Sequence, residues 1–544
     1  MSERSALSET GSTVASAPDL TPRRGTTSHA RDIGKGFLVK LLLVMLVDAL
    51  GVYGIITATT IGHWPIVVSL VVGLAAVNWV YFSRRMVPLK YLLPGLLFLL
   101  VYQVFVMGYT GYVAFTNYGT GHMLTKEQAI ERLQQYNQVR VPDSPTYPLT
   151  VLQRDGEIYF GIVDEGKALI GSADTPLEEH PDAEVVQAGE KTQRIASAPG
   201  FETVDFAGLL TLDEDVSVIT VPWSSDPTSG SLSTDFGANG FRNQPALAYD
   251  AAEDTMTHVE TGVVYYAEND GSFTAADGTT LTPGWRVAVG FDNFTRMFTE
   301  ERLSGPFLKA ATWTFAFAFL SVATTFALGL FIAITFNDER VRGRKIYRSL
   351  LILPYAFPGF LSALIWAGML NRSYGFINQT LLGGASIDWL GDPWLAKIAI
   401  IGVNLWLGFP YMFLITTGAL QSIPSDINEA ARIDGAGPAR VFRSLTLPLL
   451  LVSVTPLLIA SFAFNFNNFS LIYMLTKGGP VYVGNEYGLG STDILISTVY
   501  KIAIEGGGAK DYGLASAMSI IIFLIVGIVS YIGFRKTRSL EEIN

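Results

Sequence analysis

The 544-residue chain contains no cysteine, which excludes disulfides and thiolate chemistry, so any domain outside a membrane must rest on its own core. Charge is scarce too. Only 16% of residues are Asp, Glu, Lys or Arg while 49% are hydrophobic, a balance that excludes an ordinary soluble protein and points to the membrane class. The five histidines, at 29, 63, 122, 180 and 258, form no pair with ligand-like spacing, which argues against a metal site. A net charge of −11, drawn mostly from residues 116–306, argues against nucleic acid as a partner. Residues 1–36 have no Phe, Tyr or Trp and are rich in Ser, Thr, Ala, Gly and Pro, which predicts a disordered tail. The first apolar run starts too late for a signal peptide and no small-residue cleavage site precedes the second, so Phe37–Ala58 is read as a retained anchor.

Apolar runs near the roughly 20 residues that a helix needs to cross a bilayer lie at 37–58, 64–82, 91–115, 307–336, 349–370, 395–420, 447–475 and 513–534. The fold class they imply is a polytopic α-helical membrane protein with about eight spans. Arg84 and Arg85, the cluster Arg340, Arg342, Arg344, Lys345 and Arg348, then Arg432, Arg440 and Arg443, and finally Arg535, Lys536 and Arg538 alternate onto one side. The excess of cations in short loops assigns that side to the cytoplasm. Both termini, including a tail at 535–544, then face inward, and residues 116–306 lie outside between spans 3 and 4.

That segment is too long for a loop and reads as a β-rich domain. Thr125-Lys-Glu-Gln128 forms a capping box that predicts a short helix through Tyr136. Beyond it, GEIYFGIV, VSVITVPW, GVVYYA and WRVAVG alternate with Gly, Asp, Pro and Ser turns. The domain is either a spacer or a docking surface for a soluble partner. Gly161 to Lys167 has the glycine and lysine spacing of a phosphate-binding loop, but Ala168 stands where the Mg²⁺-binding hydroxyl belongs, so that reading is rejected.

Two spans carry features costly in hydrocarbon. In the seventh, Ser461, Phe464, Asn465 and Asn468 stand at i, i+3, i+4 and i+7, which predicts one helical face that alternates amides with an aromatic ring. Such amides either bond across helices or, with the ring, face a cavity suited to a sugar; both readings stay open. In the sixth, Leu407-Gly408-Phe409-Pro410-Tyr411 predicts a helix broken at Pro410, and Tyr411 supplies a hydroxyl and a ring. In the fifth, Pro354 and Pro358 predict a structural kink.

Residues 421–448 form a polar hairpin between spans 6 and 7. Pro424 suits a first helical turn, Gly435 and Gly437 can take the positive φ that ends a helix, and Pro438 opens a second short one. Ala430 and Ala431 leave one flank bare for close approach of another backbone, and Glu429 offers a carboxylate to a basic group. The order Glu429-Ala430-Ala431, Gly435, Leu445-x-Leu447-Pro448 resembles the signature loop of permease subunits of ATP-binding-cassette importers, with Leu445 where that family often has Ile.

The likeness extends to AFTNYG at 114–119, NFTRMF at 293–298, LLILPYAFPGF at 350–360, SFAFNFNNF at 461–469 and EGGGAKDYGLA at 505–515, where it is similar to the permeases of maltose and maltodextrin importers. The resemblance implies a non-enzymatic transport subunit in a bacterial inner membrane. Its partners would be a second permease, two copies of a cytoplasmic ATPase that hold the ATP and Mg²⁺, an extracytoplasmic sugar-binding protein and membrane lipid. It also implies that sugar is held by Leu407, Gly408, Tyr411, Ser461, Phe464, Asn465 and Asn468, with Glu429, Ala430, Ala431, Gly435 and Pro448 coupling the ATPase to the spans. An importer of trehalose or another α-glucoside, an ion-coupled secondary transporter and a membrane-anchored receptor or enzyme are the rival readings. The secondary transporter lacks mid-membrane ionisable residues beyond Lys40 and Asp48 of the first span, and the enzyme lacks a convergent catalytic set.

Overall fold

A computed structural model describes residues 35–541, apart from positions 84, 142–143, 190–191, 213–215, 218, 227–228, 338–340 and 506–507. The expected tail, Arg84 and Arg340 therefore lie outside the described residues, except that Lys35 and Gly36 already belong to the first helix. Seven helices among the described residues are long and apolar enough to span a bilayer, and an eighth span exists if Arg344–Ala356 and Gly359–Met369 count as one. Those two halves meet at 90°, so Pro354 and Pro358 produce a break and not the expected kink. Pro358 cannot donate to the turn before it, and Phe357 is extended at ψ 138.

The chain divides into two compact units, one ending at Phe105 and one starting at Val106. In the first, Lys35–Thr60 and Trp64–Phe82 form a helical hairpin in which Gly51 and Gly54 lie against Leu74 and Leu70. Asn78 donates to the Asp48 carboxylate at 2.7 Å, which gives this intramembrane acid a partner.

In the second unit, a β domain precedes the helical core. The capping box at Thr125 forms as expected, and the Lys126–Tyr136 helix buries Ala129 and Leu133 against a five-stranded antiparallel meander running from Leu247–Asp250 to Thr280–Leu281. Two further five-stranded sheets contribute Phe160 and Ile162 from one and Val221 and Leu232 from the other to a shared core. The rejected phosphate-loop motif is a tight hairpin turn: Asp164 pairs with Lys167, and Glu165 and Gly166 both take positive φ. Among the described residues of the expected VSVITVPW strand only Val221–Pro222 forms one, and WRVAVG contributes isolated bridges at Trp285 and Ala288. The expected boundary at 306 falls inside a helix that begins at Glu301.

The helical core is built on two long helices, Glu301–Asn337 and Pro393–Ser422. They approach closely because Gly329 faces the backbone of Met412 and Phe413, and Gly408 faces Thr325. Pro393–Ser422 runs unbroken through Pro410, contrary to expectation. Burial of Phe409, Pro410, Met412 and Phe413 holds the helix across the missing hydrogen bond. The final helix, Tyr512–Glu541, continues past the apolar run and takes in residues 535–541 of the expected tail.

Three short segments join the β domain to this core. Asn293 donates to Ala114 O at 3.0 Å and to Thr116 O at 2.8 Å. Arg296 binds Asp511 at 2.8 Å, and Asn117 grips the domain through Val287 N and Trp285 O. Burial works against the Arg296 charge, but Asp511 and then Glu300 hold its pKa above the ordinary value. Nearby, burial and the Glu300 carboxylate push the Tyr487 phenol up to about 12.

The loop after residue 476 is pinned by an ion pair buried on both sides. Asp493 accepts from Lys501 Nζ at 2.8 Å, Gly490 N at 2.7 Å and Ser497 Oγ at 2.7 Å, while Lys501 also donates to Gly488 O at 2.8 Å. Removing one partner of such a pair costs about 3–5 kcal/mol, because the other charge is left buried. Lys501→Met should therefore sharply lower the apparent unfolding midpoint of the purified protein in detergent. Adding Asp493→Asn should restore part of the loss, and equal midpoints for the single and double variants would contradict this account.

Candidate functional site

A cavity of about 710 Å³ opens among the helices of the second unit. The Pro393–Ser422 helix lines it with Asn404, Leu407, Gly408, Tyr411 and Met412, and the Leu447–Phe466 helix adds Ala460, Ser461, Phe464 and Asn465. Both chain breaks open onto the same space. The first contributes Pro354, Tyr355 and Phe357, and the second Asn467, Asn468 and Phe469. All seven residues singled out from sequence thus line one cavity.

The single helical face expected for four of them does not exist as drawn. The helix ends at Phe466, Asn467 leaves it at φ −111 and ψ 22, and Asn468 starts the next helix, Phe469–Thr476. Asn side chains compete for backbone partners, and Asn468 Oδ1 accepts from Leu471 N at 3.3 Å as an N-cap. Ser461, Phe464 and Asn465 remain on the preceding helix, and the turn brings Asn468 to the same wall.

Asn465 is buried and its carbonyl accepts from Asn404 Nδ2 at 3.0 Å, while its own amide donates to Ser461 O at 2.8 Å. The bond across helices is therefore made, at a residue that also borders the cavity. The two readings of this amide are not exclusive. Sequence reasoning passed over Asn404, although Asn404, Leu407, Gly408 and Tyr411 show the same i, i+3, i+4, i+7 spacing. It also missed Tyr355, whose ring stacks on Tyr411 with centroids 6.5 Å apart, and Phe469. Phe464 is 69% exposed, so its ring is open to the cavity and not held in a core. Gly408 contributes by absence: a Cβ there would meet Thr325 Cγ2 at 2.9 Å and push apart the helices that shape the wall.

The hairpin forms much as its sequence predicts. Helix Ser425–Ile433 ends in a Schellman arrangement, with Ala436 N donating to Ala431 O and Gly435 N to Arg432 O, each at 3.0 Å. Gly435 takes φ +84. Gly437 does not take the positive φ expected of it: at φ −69 and ψ 159 it is the extended residue before Pro438, whose ring disfavours helical geometry there. Glu429 and Ala430 are exposed, Ala431 is half-buried, and Pro448 lies in the first turn of the Leu447–Phe466 helix. Ile433 sits at the tip, 86% exposed, an apolar side chain that the sequence reading did not single out.

The chain is similar to known proteins. Residues 325–537 match the family described as binding-protein-dependent transport system inner membrane component, and residues 97–174 match the N-terminal region of transmembrane subunits in PBP-dependent ABC transporters. The maltose/maltodextrin transport system permease protein MalF of Escherichia coli O6:H1 is 37% identical over 494 residues, 88% of this chain and 91% of that protein. The MalF protein of Vibrio vulnificus YJ016 is 34% identical over 524 residues, 93% and 95% of the two chains. Among solved structures, a chain of a bacterial ABC transporter involved in import of the acidic polysaccharide alginate aligns with a TM-score of 0.40 and 22% identity, covering 46% of this chain and 84% of that one. With relatives more than 30% identical over most of its length and the transport-component model across its helical core, this multi-pass membrane chain belongs to the MalF-type permeases of binding-protein-dependent ABC transporters.

Proposed function

We propose that this chain forms half of the translocation pathway of an ATP-driven importer and holds maltose or a related malto-oligosaccharide in the central cavity. The observation that carries the reading is the convergence of amides and aromatic rings from three parts of the chain on one space. Amide groups exchange hydrogen bonds with hydroxyls, and rings cover the apolar C–H surface of a sugar. The relatives named for maltose and maltodextrin transport support the choice of glycan over trehalose or another α-glucoside. In this reading the chain binds no nucleotide of its own: ATP and Mg²⁺ reside on two MalK-like ATPase subunits. A MalG-like permease supplies the other half of the pathway, and a MalE-like binding protein docks on the β domain outside the cell. Copurification with identification of the attached subunits, followed by uptake of radiolabelled maltose by the reconstituted complex, tests this directly. A chain that purifies without ATPase or second permease refutes the importer reading.

Orientation comes first among the expected outcomes, and the absence of native cysteine makes it simple to measure. A single cysteine at Ser225 should react with a membrane-impermeant maleimide in intact cells, and one at Lys345 only after the membrane is opened. The reverse pattern would place the β domain and hairpin on the wrong sides.

At the cavity, Asn468→Asp retains the oxygen that caps the Phe469–Thr476 helix but removes the amide donor. Uptake should fall by roughly 5- to 150-fold in apparent affinity, the range for losing a buried hydrogen-bond partner, with assembly intact. Asn465→Ala should damage assembly as well, since it strands the Asn404 amide. Normal maltose affinity in the Asn468→Asp complex would remove this residue from the site.

At the hairpin, Gly435→Val places a β-branched residue at φ +84, outside the region such side chains adopt. The spans should still assemble, but ATP hydrolysis should no longer respond to sugar-loaded binding protein. Wild-type transport with normal stimulation would show that the hairpin does not relay ATPase closure.

A further inference from the structure

The Phe469–Thr476 helix has two unlike faces. Leu471, Ile472 and Leu475 are buried in the helical core, whereas Phe469 and Tyr473, one turn apart on the other side, remain partly exposed. Their rings stack with centroids 5.0 Å apart at 19°, and Tyr500, at the end of the Leu495–Tyr500 helix, packs on both at 4.7 and 5.2 Å. The Tyr473 hydroxyl donates to the exposed carboxylate of Glu505. Phe469 belongs at once to this cluster and to the wall of the central cavity, so the two adjoin at this ring.

Tyrosines alone would suit the headgroup level of a membrane, but the carboxylate they hold disfavours contact with lipid tails. A cage for an organic cation needs ring faces turned toward an empty centre, but here Phe469 and Tyr473 turn theirs toward each other. What the cluster offers is partly exposed ring surface beside an exposed acceptor group, since an ionised carboxylate has about four lone-pair sites and Tyr473 occupies one. That combination suits a pyranose, whose C–H face stacks on the ring while its hydroxyls donate to the carboxylate.

We infer that Phe469, Tyr473, Tyr500 and Glu505 form a second glycan subsite, adjoining the central cavity at Phe469, that engages the units of a longer malto-oligosaccharide that a disaccharide leaves uncovered. The inference rests on the reading of the cavity as a sugar site. Its signature is selectivity by chain length. Tyr500→Leu removes one ring and Glu505→Ala, at an exposed position, removes the acceptor without touching the core.

The test measures uptake of radiolabelled maltose and maltopentaose by the reconstituted complex carrying each variant. Each should raise KM for maltopentaose, Tyr500→Leu by roughly 2- to 10-fold, the range expected for an aromatic contact, and leave KM for maltose unchanged. Should Tyr500→Leu fail to assemble, Glu505→Ala alone decides. Equal losses for both sugars would mark the cluster as part of the general framework, and no loss for either would mark it as unused; both overturn the subsite and leave the cavity reading standing. A wild-type complex that takes up neither sugar overturns the functional reading and the subsite together.

Discussion

Hydrocarbon offers a backbone amide no partner, so a helix that stops inside the bilayer must be satisfied by the protein or by water in a cavity. This chain stops two helices there, near Pro358 and near Asn467, and both interruptions face the same space. At the second, Asn467 N donates to Phe464 O at 3.2 Å, Asn468 N to Asn465 O at 3.1 Å and Phe469 N to Asn467 O at 2.8 Å, while the Asn468 side chain caps the Phe469–Thr476 helix. At the first, Phe357 N reaches Pro354 O and Ser362 N reaches Pro358 O. At the second break the Asn468 side chain both caps the next helix and lines the cavity, so one group satisfies the interruption and adds polarity to the wall.

Sequence made local events legible and long-range ones opaque. The capping box at Thr125, the reversal at Gly435 and the rejection of the phosphate-loop motif each depend on a few neighbouring residues, and each is realised. Where periodicity was pressed further it misjudged the outcome: Pro410 was expected to break a helix that packing keeps whole, and three clustered asparagines were expected to share a helix that they end. In both cases a local tendency competed with tertiary contacts, and residue spacing does not reveal which wins. Spacing placed Ser461, Phe464 and Asn465 on one face without deciding between a cavity and a bond across helices, and the turn at Asn467 returns Asn468 to the same wall. Asn404 was missed although its own helix shows the same spacing, because a lone amide in an apolar run gives no hint of a partner 61 residues away.

Three of the runs that carried the family resemblance, AFTNYG, NFTRMF and the segment ending in KDYGLA, looked unrelated in sequence. In the fold they meet. Asn293 closes onto the carbonyls of Ala114 and Thr116, Arg296 onto Asp511, and Gly513 N onto Tyr118 O at 2.9 Å. The joint between the β domain and the helical core is thus made by short polar segments whose side chains each bind the backbone or charge of another. Loss of the Asn293 amide would leave the carbonyls of Ala114 and Thr116 without this donor.

The hairpin at 425–441 is the covalent link between the Pro393–Ser422 and Leu447–Phe466 helices, and both helices line the cavity. Its root is not loose, because Leu420, Ile423 and Phe442 pack with Leu330, Leu450 and Val454. Tyr411 lies 11 residues, or about 16 Å of helix, from Ser422, and Ser461 lies 14 residues, or about 21 Å, from Leu447. Between those arms the Asn404–Asn465 bond fastens the two helices at the level of the cavity. In the proposed importer a displacement of the hairpin would reach the wall along two helices tied at both ends, a restraint that favours tilting them as a pair over sliding one past the other. The same bond that seemed at first to compete with a binding role for Asn465 makes the wall move as a unit, so in the proposed importer fastening helices and holding the ligand are two sides of one contact.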